Sequence, residues 1–143
     1  MRFLVIVKED QRDIAVDTAQ MTQMFEEMGK FNEELVKAGV MLDGMGLMAS
    51  AKGAKVKFSK GKPTVVDGPF AETKELIAGF WLIQVKNKAE AIEWAKRVPF
   101  GPVHMAGDGE IELRQVFETE DFGESEAVDR HKALGEKLAK QKK

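Results

Sequence analysis

The sequence predicts one α+β domain whose elements run in the order β-α-β, hairpin, β-α-β. Two observations support this order. Short runs rich in β-branched residues alternate with stretches in which apolar residues recur at helical spacing. In addition, no linker or low-complexity segment interrupts the 143 residues, of which 43% are hydrophobic. Two β-α-β units form a ferredoxin-like arrangement, an antiparallel sheet with both helices on one face.

The first half of the chain begins with a strand at Arg2–Lys8, a β-branched run bounded by charged residues. Asp17 as N-cap and Gln20 at the N3 position predict the start of a helix, and Gly39 predicts its end. Apolar residues between them recur every three or four positions: Met21, Met24, Phe25, Met28, Phe31 and Leu35. A second strand is expected over Val40–Met48. We expect the methionines of this region, from Met21 to Met48, to serve mainly as core filling.

The second half of the chain opens with a predicted hairpin, because a Ser-Lys-Gly-Lys turn at residues 59–62 separates Lys55–Phe58 from Pro63–Val66. The later elements are expected as a strand at Leu76–Val85, a helix opened by Asn87 and Glu90 and ended by Pro99, a strand at Glu110–Phe117 and a C-terminal helix capped by Ser125. We therefore assign residues 1–118 to the ferredoxin-like domain and residues 119–143 to a C-terminal helical tail.

Both faces of two of these strands are apolar. Phe3, Val5 and Val7 share one face of the first strand, and Leu4 and Ile6 share the other. The strand at residues 78–85 repeats the pattern. Since two helices cover only one face of such a sheet, either the C-terminal helix or the sheet of a second subunit is needed on the other. We favour a homodimer, because obligate interfaces resemble a core cut in half.

The composition excludes several classes of function. The 22 basic and 24 acidic residues give a net charge of −2, so the chain lacks the basic field that nucleic-acid binding requires. The absence of cysteine excludes disulfides, thiolate nucleophiles and thiolate metal ligands. The apolar run Phe3–Val7 is too short for a membrane span or the core of a signal peptide. We expect a cytoplasmic protein that is not bound to a membrane.

Residues 65–75 combine a turn with a cluster of charged side chains. Asp67-Gly68-Pro69-Phe70 continues as Ala71-Glu72-Thr73-Lys74-Glu75. Asp67-Gly68 supplies a residue that tolerates positive φ, and Pro69 fixes its own φ and keeps Gly68 out of the α region. Because binding and catalytic groups collect on loops held by a rigid scaffold, this loop is the first candidate for a functional site.

The stretch from Gly61 to Glu75, followed by Gly79–Ile83, resembles the YCII-related family, in its DGPF-motif branch. The resemblance extends over residues 1–118. It implies a dimeric α+β barrel, in agreement with the two-faced strands. The resemblance also implies a candidate residue, because related proteins have been proposed to be enzymes on the basis of a His–Asp pair in a cleft. Asp67 is the motif match in this chain. In the family the histidine of that pair lies early in the sequence, on the first helix, whereas no histidine precedes His104 in this chain.

The candidate catalytic residues are Asp67 and His104. Asp67 could act as a general base if burial raises its pKa, or its carboxylate could cap the loop. His104, in a Gly-rich segment, could carry a proton or be an ordinary surface residue. The candidate binding residues are Phe70, Glu72, Lys74 and Arg114. Phe70 could anchor the loop by packing in the core. Glu72 and Lys74 could line the mouth of a cleft or belong to a solvated charge cluster.

Arg114 shares a strand face with Glu112 and Val116. Its guanidinium could bind a carboxylate ligand bidentately or form a structural ion pair, for example with Asp67. No dense set of metal ligands is present, so neither a metal nor a cofactor is expected.

Two functions follow. The first, which the missing early histidine favours, is a small-molecule-binding or regulatory protein without turnover, with a cleft between the sheet and the Asp67–Glu75 loop and a ligand that could be anionic. The second is a cofactor-independent acid–base enzyme, an isomerase, lyase or hydrolase, with Asp67 as base, Arg114 as anion anchor and His104 assisting.

Overall fold

The computed structural model describes residues 1–8, 18–70, 76–99 and 109–142. Within these ranges the chain forms six strands and three helices: β1 (Arg2–Lys8), α1 (Thr18–Lys37), β2 (Met41–Gly46), β3 (Ala54–Ser59), β4 (Lys62–Asp67), β5 (Ile77–Gln84), α2 (Lys88–Lys96), β6 (Ile111–Gln115) and α3 (Glu126–Gln141). Two short 3-10 turns lie at Ser50–Lys52 and Thr119–Phe122. The predicted α+β class is confirmed.

The main sheet has the strand order β2-β5-β1-β6, and every neighbouring pair is antiparallel. The hairpin β3–β4 forms a separate two-stranded sheet. When the hairpin is set aside, the order of the remaining strands is that of a ferredoxin-like fold, as the sequence predicts. Both β1 and β5 are central, which explains why both carry apolar residues on their two faces.

The core lies between one face of the sheet and the helices α1 and α2. Phe3, Val5 and Val7 of β1 are buried there, together with Trp81 and Ile83 of β5. Each fully buried aliphatic or aromatic side chain contributes roughly 1.5–3 kcal/mol. These side chains, with those of the two helices, therefore supply most of the hydrophobic stabilisation of the domain.

Trp81 organises the side of the core next to β2. Its ring meets Phe31 of α1 edge to face, with centroids 5.1 Å apart, and its indole Nε1 donates a hydrogen bond of 2.7 Å to Oδ1 of Asn32. A Cβ at Gly44 would lie 2.8 Å from the Trp81 ring, so glycine is required where the ring crosses β2. Packing of this kind fixes the position of α1 over the sheet.

The second face of the sheet is lined by Leu4, Ile6, Phe80 and Leu82, and we call it the open face. Ile6 is 9% exposed, whereas the other three side chains are half-buried. The prediction of two apolar faces is thus confirmed. The helix α3 packs mainly against the 3-10 turn Thr119–Phe122, and all of its residues except Val128 are exposed. The C-terminal helix therefore does not cover the open face.

The predicted helix boundaries agree with the structure where it describes them. Gly39 follows α1 with φ of +72°, a conformation that glycine adopts without strain. Oδ1 of Asn87 accepts a hydrogen bond from the Glu90 N–H, but Glu90 accepts in return from Lys86 rather than from Asn87. Ser125 caps α3 through the Val128 N–H. The predicted N-cap of α1, Asp17, lies outside the described residues.

The expectation that the methionines fill the core is wrong for half of the set. Met21, Met45 and Met48 are exposed, the last at 76%, whereas Met24, Met28 and Met41 are half-buried. For Met45 and Met48 the physical reason is the strand order, because β2 is an edge strand that ends at Gly46, whereas Met21 lies in the first turn of α1. The periodicity of apolar residues does not reveal which strand lies at the edge of the sheet.

Candidate functional site

Three segments of the chain join the main sheet at one end, which we call the loop end. Lys8 closes β1 opposite Ile77, the first residue of β5, and Val7 lies opposite Ile111, the first residue of β6. The Lys8 N–H also donates to the Glu110 carbonyl at 3.1 Å. Residues 9–17 follow Lys8, residues 71–75 lead into β5, and residues 100–108 lead into β6. Of the predicted site residues, Glu72, Lys74 and His104 fall in these segments and lie outside the described residues.

The start of the Asp67–Glu75 loop is fixed by contacts with the turn at residues 50–53. The Gly68 N–H donates to the Gly53 carbonyl at 3.0 Å, and the Phe70 N–H donates to Oγ of Ser50 at 3.1 Å. A Cβ at Gly68 would lie only 1.8 Å from the Ser50 carbonyl oxygen. Gly68 does not adopt positive φ, so its tolerance of that conformation is not used here. Glycine is needed here for close approach between two backbone segments.

Asp67 and Phe70 belong to the hairpin side of this loop. Asp67 ends β4 opposite Ala54 and is exposed, and within the described part of the chain its carboxylate makes no hydrogen bond or ion pair. Phe70 is half-buried, and Nζ of Lys55 lies 4.5 Å from its ring centroid. The turn at residues 50–53 thus holds the backbone of Phe70, and Lys55 of β3 contacts its ring.

Arg114 lies on the open face with Glu112, opposite Leu4 and Ile6 respectively, as its predicted strand face requires. Its Nη1 is 3.7 Å from Oε2 of Glu112, and Nζ of Lys8 is 3.6 Å from Oε1 of the same carboxylate. One carboxylate is therefore shared by two cations. We call Lys8, Glu112 and Arg114 the charged triad.

The members of the charged triad differ in position and exposure. The Lys8 side chain is 22% exposed and lies at the loop end, whereas the Arg114 side chain is 72% exposed. Arg114 pairs opposite Leu4, four residues before Lys8, which places the two backbones about 13 Å apart along the sheet. Sequence reasoning did not select Lys8. The sequence did contain a signal for it, because Leu4, Ile6 and Lys8 alternate along β1 and therefore project to the same face of the sheet, the open face.

A second ion pair stands at the opposite end of β1. Arg2 donates from Nε to Oε1 of Glu118 at 2.8 Å and from Nη2 to Oε2 at 3.0 Å. These hydrogen bonds raise the pKa of Arg2, partial burial opposes the rise, and the charge of Glu118 adds to it. The pair joins the chain after β6 to the first strand. Its geometry is structural, because the guanidinium is already occupied bidentately.

The interior of the domain offers little room for a ligand. The space between the sheet and the helices, lined by Val5, Phe31, Leu35, Trp81, Ile83 and Trp94, does not admit a water molecule. Among residues 1–8, 18–70, 76–99 and 109–142, no three histidine or acidic side chains are grouped so that they could hold a metal ion. None of the described helices combines the length and apolar composition needed to cross a membrane. We therefore consider the open face and its loop end as the candidate site.

Comparison with known proteins identifies the family. An uncharacterized protein of Rhizobium meliloti (strain 1021) is 32% identical over 74 residues, which represent 52% of this chain and 60% of that protein. The chain thus spans less than two-thirds of the length of this relative. The YCII-related domain matches residues 1–120, which include the main sheet, the hairpin, α1 and α2. Since this match covers most of the chain, the protein belongs to the YCII-related family.

Proposed function

We propose that this protein, as a homodimer of the DGPF-motif branch, binds a small organic anion at the loop end of the open face without turning it over. The observation that carries the proposal is the charged triad. Lys8 and Arg114 share the single carboxylate of Glu112, so the group keeps a net positive charge beside an apolar surface. A carboxylate ligand fits such a site because a cation with unused donors binds it through charge-assisted hydrogen bonds.

The apolar surface next to the triad favours an anion with a hydrocarbon body. Ile6 lies opposite Glu112 on one side and Phe80 on the other, so an aromatic and a branched aliphatic side chain flank the carboxylate. Ligand sites combine such apolar walls with a few polar groups that fix orientation. Aromatic or medium-chain carboxylates offer both a hydrocarbon body for the apolar walls and a negative charge for the cations, whereas inorganic phosphate offers only the charge.

A second copy of the chain supplies the missing wall of the site. Leu4, Phe80 and Leu82 remain half-buried on a single chain, and α3 does not cover them. Two open faces packed against each other would bury these side chains and exclude water from the triad. In a drier environment the attraction between the cations and a bound anion is stronger than at a free surface.

Binding without turnover is favoured over catalysis because Asp67 is exposed and has no partner in the described part of the chain. The acid–base alternative would use Asp67 as base and Arg114 as anion anchor, whereas His104, its expected assistant, lies outside the described residues. Asp67→Asn separates the two functions. It should leave the affinity for an anion within about twofold in a binding protein, and it should abolish turnover in an enzyme that uses this base.

The binding proposal is tested by titrating benzoate, hexanoate and inorganic phosphate in calorimetry and in amide NMR spectra. Lys8→Gln should weaken benzoate binding by at least about tenfold, since it removes a charge-assisted contact. Lys96→Gln, the same change at an exposed residue of α2, should have no effect. If no carboxylate binds the wild-type protein, or if benzoate binds Lys8→Gln equally well, the proposal is wrong.

The dimer is tested separately by sedimentation. The wild-type protein should sediment as a dimer at about 10 μM, a typical concentration at which an obligate interface is occupied. Leu82→Glu on the open face should give a folded monomer, whereas Leu134→Glu on α3 should leave the dimer intact. A wild-type protein that sediments as a well-folded monomer would refute this part of the proposal while leaving the titrations to decide the ligand.

A further inference from the structure

The hairpin β3–β4 presents an apolar face that the rest of the described chain does not cover. Val56 lies opposite Val65, and Phe58 lies opposite Pro63, all on the same face. Phe58 is 75% exposed and Val65 is 65% exposed. Within the described residues neither strand pairs with the main sheet. A two-stranded hairpin is only marginally stable in water, so an apolar face of this kind gains stability from a partner.

The charge around this face is strongly positive. Residues 52–67 contain five lysines and one aspartate, a local net charge of +4 in a chain whose total is −2. Lys57 and Lys62 lie on the opposite face of the hairpin, and Lys60 lies in its turn. All three are exposed and form no ion pair with any described residue. Lys60 lies at the end of the apolar face, and the long flexible stems of Lys57 and Lys62 allow their amines to reach past the strands toward its rim.

The complementary surface occurs in the same chain. Phe117 and Phe122 are 70% and 63% exposed, and their ring centroids lie 4.9 Å apart. Residues 118–129 contain six acidic side chains and no basic one. Glu118 is paired with Arg2, and Asp121 accepts from the Glu118 N–H, but Glu120, Glu124 and Glu126 form no hydrogen bond or ion pair through their carboxylates within the described chain. We call residues 117–129 the acidic segment.

We propose that the hairpin of one copy docks on the acidic segment of a second copy, with Val56, Phe58 and Val65 against the paired rings of Phe117 and Phe122. Lysines of the hairpin then face free carboxylates of the acidic segment. Every copy carries both surfaces, so association satisfies both at once. Charge complementarity of this kind selects the partner and its orientation, while the apolar contact supplies most of the affinity. The contact does not involve the open face.

A zero-length carbodiimide cross-linker tests this contact, because it joins a lysine amine to a carboxylate only when the two groups touch. An equal mixture of ¹⁴N-labelled and ¹⁵N-labelled wild-type protein distinguishes links between copies from links within one copy. We expect mixed-isotope links between Lys57, Lys60 or Lys62 and acids of the acidic segment. Links confined to one copy would overturn the proposal, as would the absence of any link between the two surfaces.

Charge reversal provides the matched control. Lys57→Glu with Lys62→Glu, and separately Glu120→Lys with Glu124→Lys, change exposed side chains without described partners, so both variants should fold. Each should lower the mixed-isotope link between Lys60 and Glu126 by at least about fivefold, through like-charge repulsion across the contact. An equal mixture of the two variants should restore at least half of the wild-type yield of this cross-link. If the reversals have no effect, or if wild-type hairpin lysines are protected only by vesicles of anionic lipid, the occupant is not a second copy and the proposal is wrong.

Discussion

Substitution of Gly68 by alanine tests the packing at the base of the Asp67–Glu75 loop. The added Cβ would lie 1.8 Å from the Ser50 carbonyl oxygen and 2.6 Å from its carbon, whereas ordinary contact begins at 3.4 Å. The two segments must therefore separate by about 1.6 Å. This movement breaks the hydrogen bonds from the Gly68 and Phe70 N–H groups, each worth about 1 kcal/mol. With the strain that remains, we expect a loss of about 2–4 kcal/mol of unfolding free energy.

The assay is urea denaturation followed by the fluorescence of Trp81 and Trp94, combined with amide hydrogen exchange at residues 50–70. Gly53→Ala is the matched control, since its Cβ would meet the nearest atom at 3.6 Å. Gly29→Ala, in α1 with nothing within 4 Å, should gain about 0.5–1 kcal/mol because alanine favours the helix. The reasoning is refuted if Gly68→Ala differs from Gly53→Ala by less than about 0.5 kcal/mol in urea and the exchange rates of residues 50–70 also agree.

Two further predictions concern pairs that are already formed. A double-mutant cycle with Arg2→Met and Glu118→Gln should give a coupling of about 0.5–1 kcal/mol, because both side chains are more than one-third exposed and solvent screens them. Because the pKa of Arg2 is raised, Arg2 loses its proton, and the ion pair its contribution to stability, only in strongly alkaline solution. The coupling measured in urea should therefore be constant between about pH 7 and 9. Asn32→Ala should lower the free energy of unfolding by about 1–3 kcal/mol, because it leaves the buried Trp81 N–H without an acceptor. If this hydrogen bond is the cause, the same substitution must cost less in a Trp81→Phe background.

The alternating faces of β1 and β5 could be predicted from sequence because the period of a strand is local. Leu4 and Ile6 oppose Phe3 and Val5 whichever strands lie alongside. The role of Gly68 could not be predicted in the same way. Its requirement for glycine comes from the Ser50 carbonyl, which approaches only after the hairpin has formed and the chain has turned back. A motif indicates that glycine is needed, whereas the reason for it depends on a neighbour distant in the chain.

The charged triad could likewise be predicted from sequence only in part. The strand face of Arg114 follows from local alternation, but its contact with Glu112 and the sharing of that carboxylate with Lys8 depend on the register between β1 and β6. A register shift of two residues that placed Glu112 opposite Leu4 would keep every face unchanged and separate Lys8 from Glu112. Nothing in either strand sequence alone fixes that register. The core pairs Val5–Leu113 and Val7–Ile111 fix it through packing under the helices.

The position of Lys8 also determines what kind of anion suits the triad. Its backbone is held on both sides of β1, opposite Ile77 and through the hydrogen bond to Glu110, so the ammonium is placed by the sheet rather than by a loop. With two cations and one carboxylate, the triad is neutralised by one added negative charge. A monocarboxylate achieves this balance, whereas a dianion leaves an excess negative charge beside Ile6 and Phe80, where desolvation is unfavourable. The proposed site should therefore select singly charged carboxylates over phosphate. A preference for phosphate in the same titrations would mean that the apolar neighbours of Lys8 are not part of the binding surface.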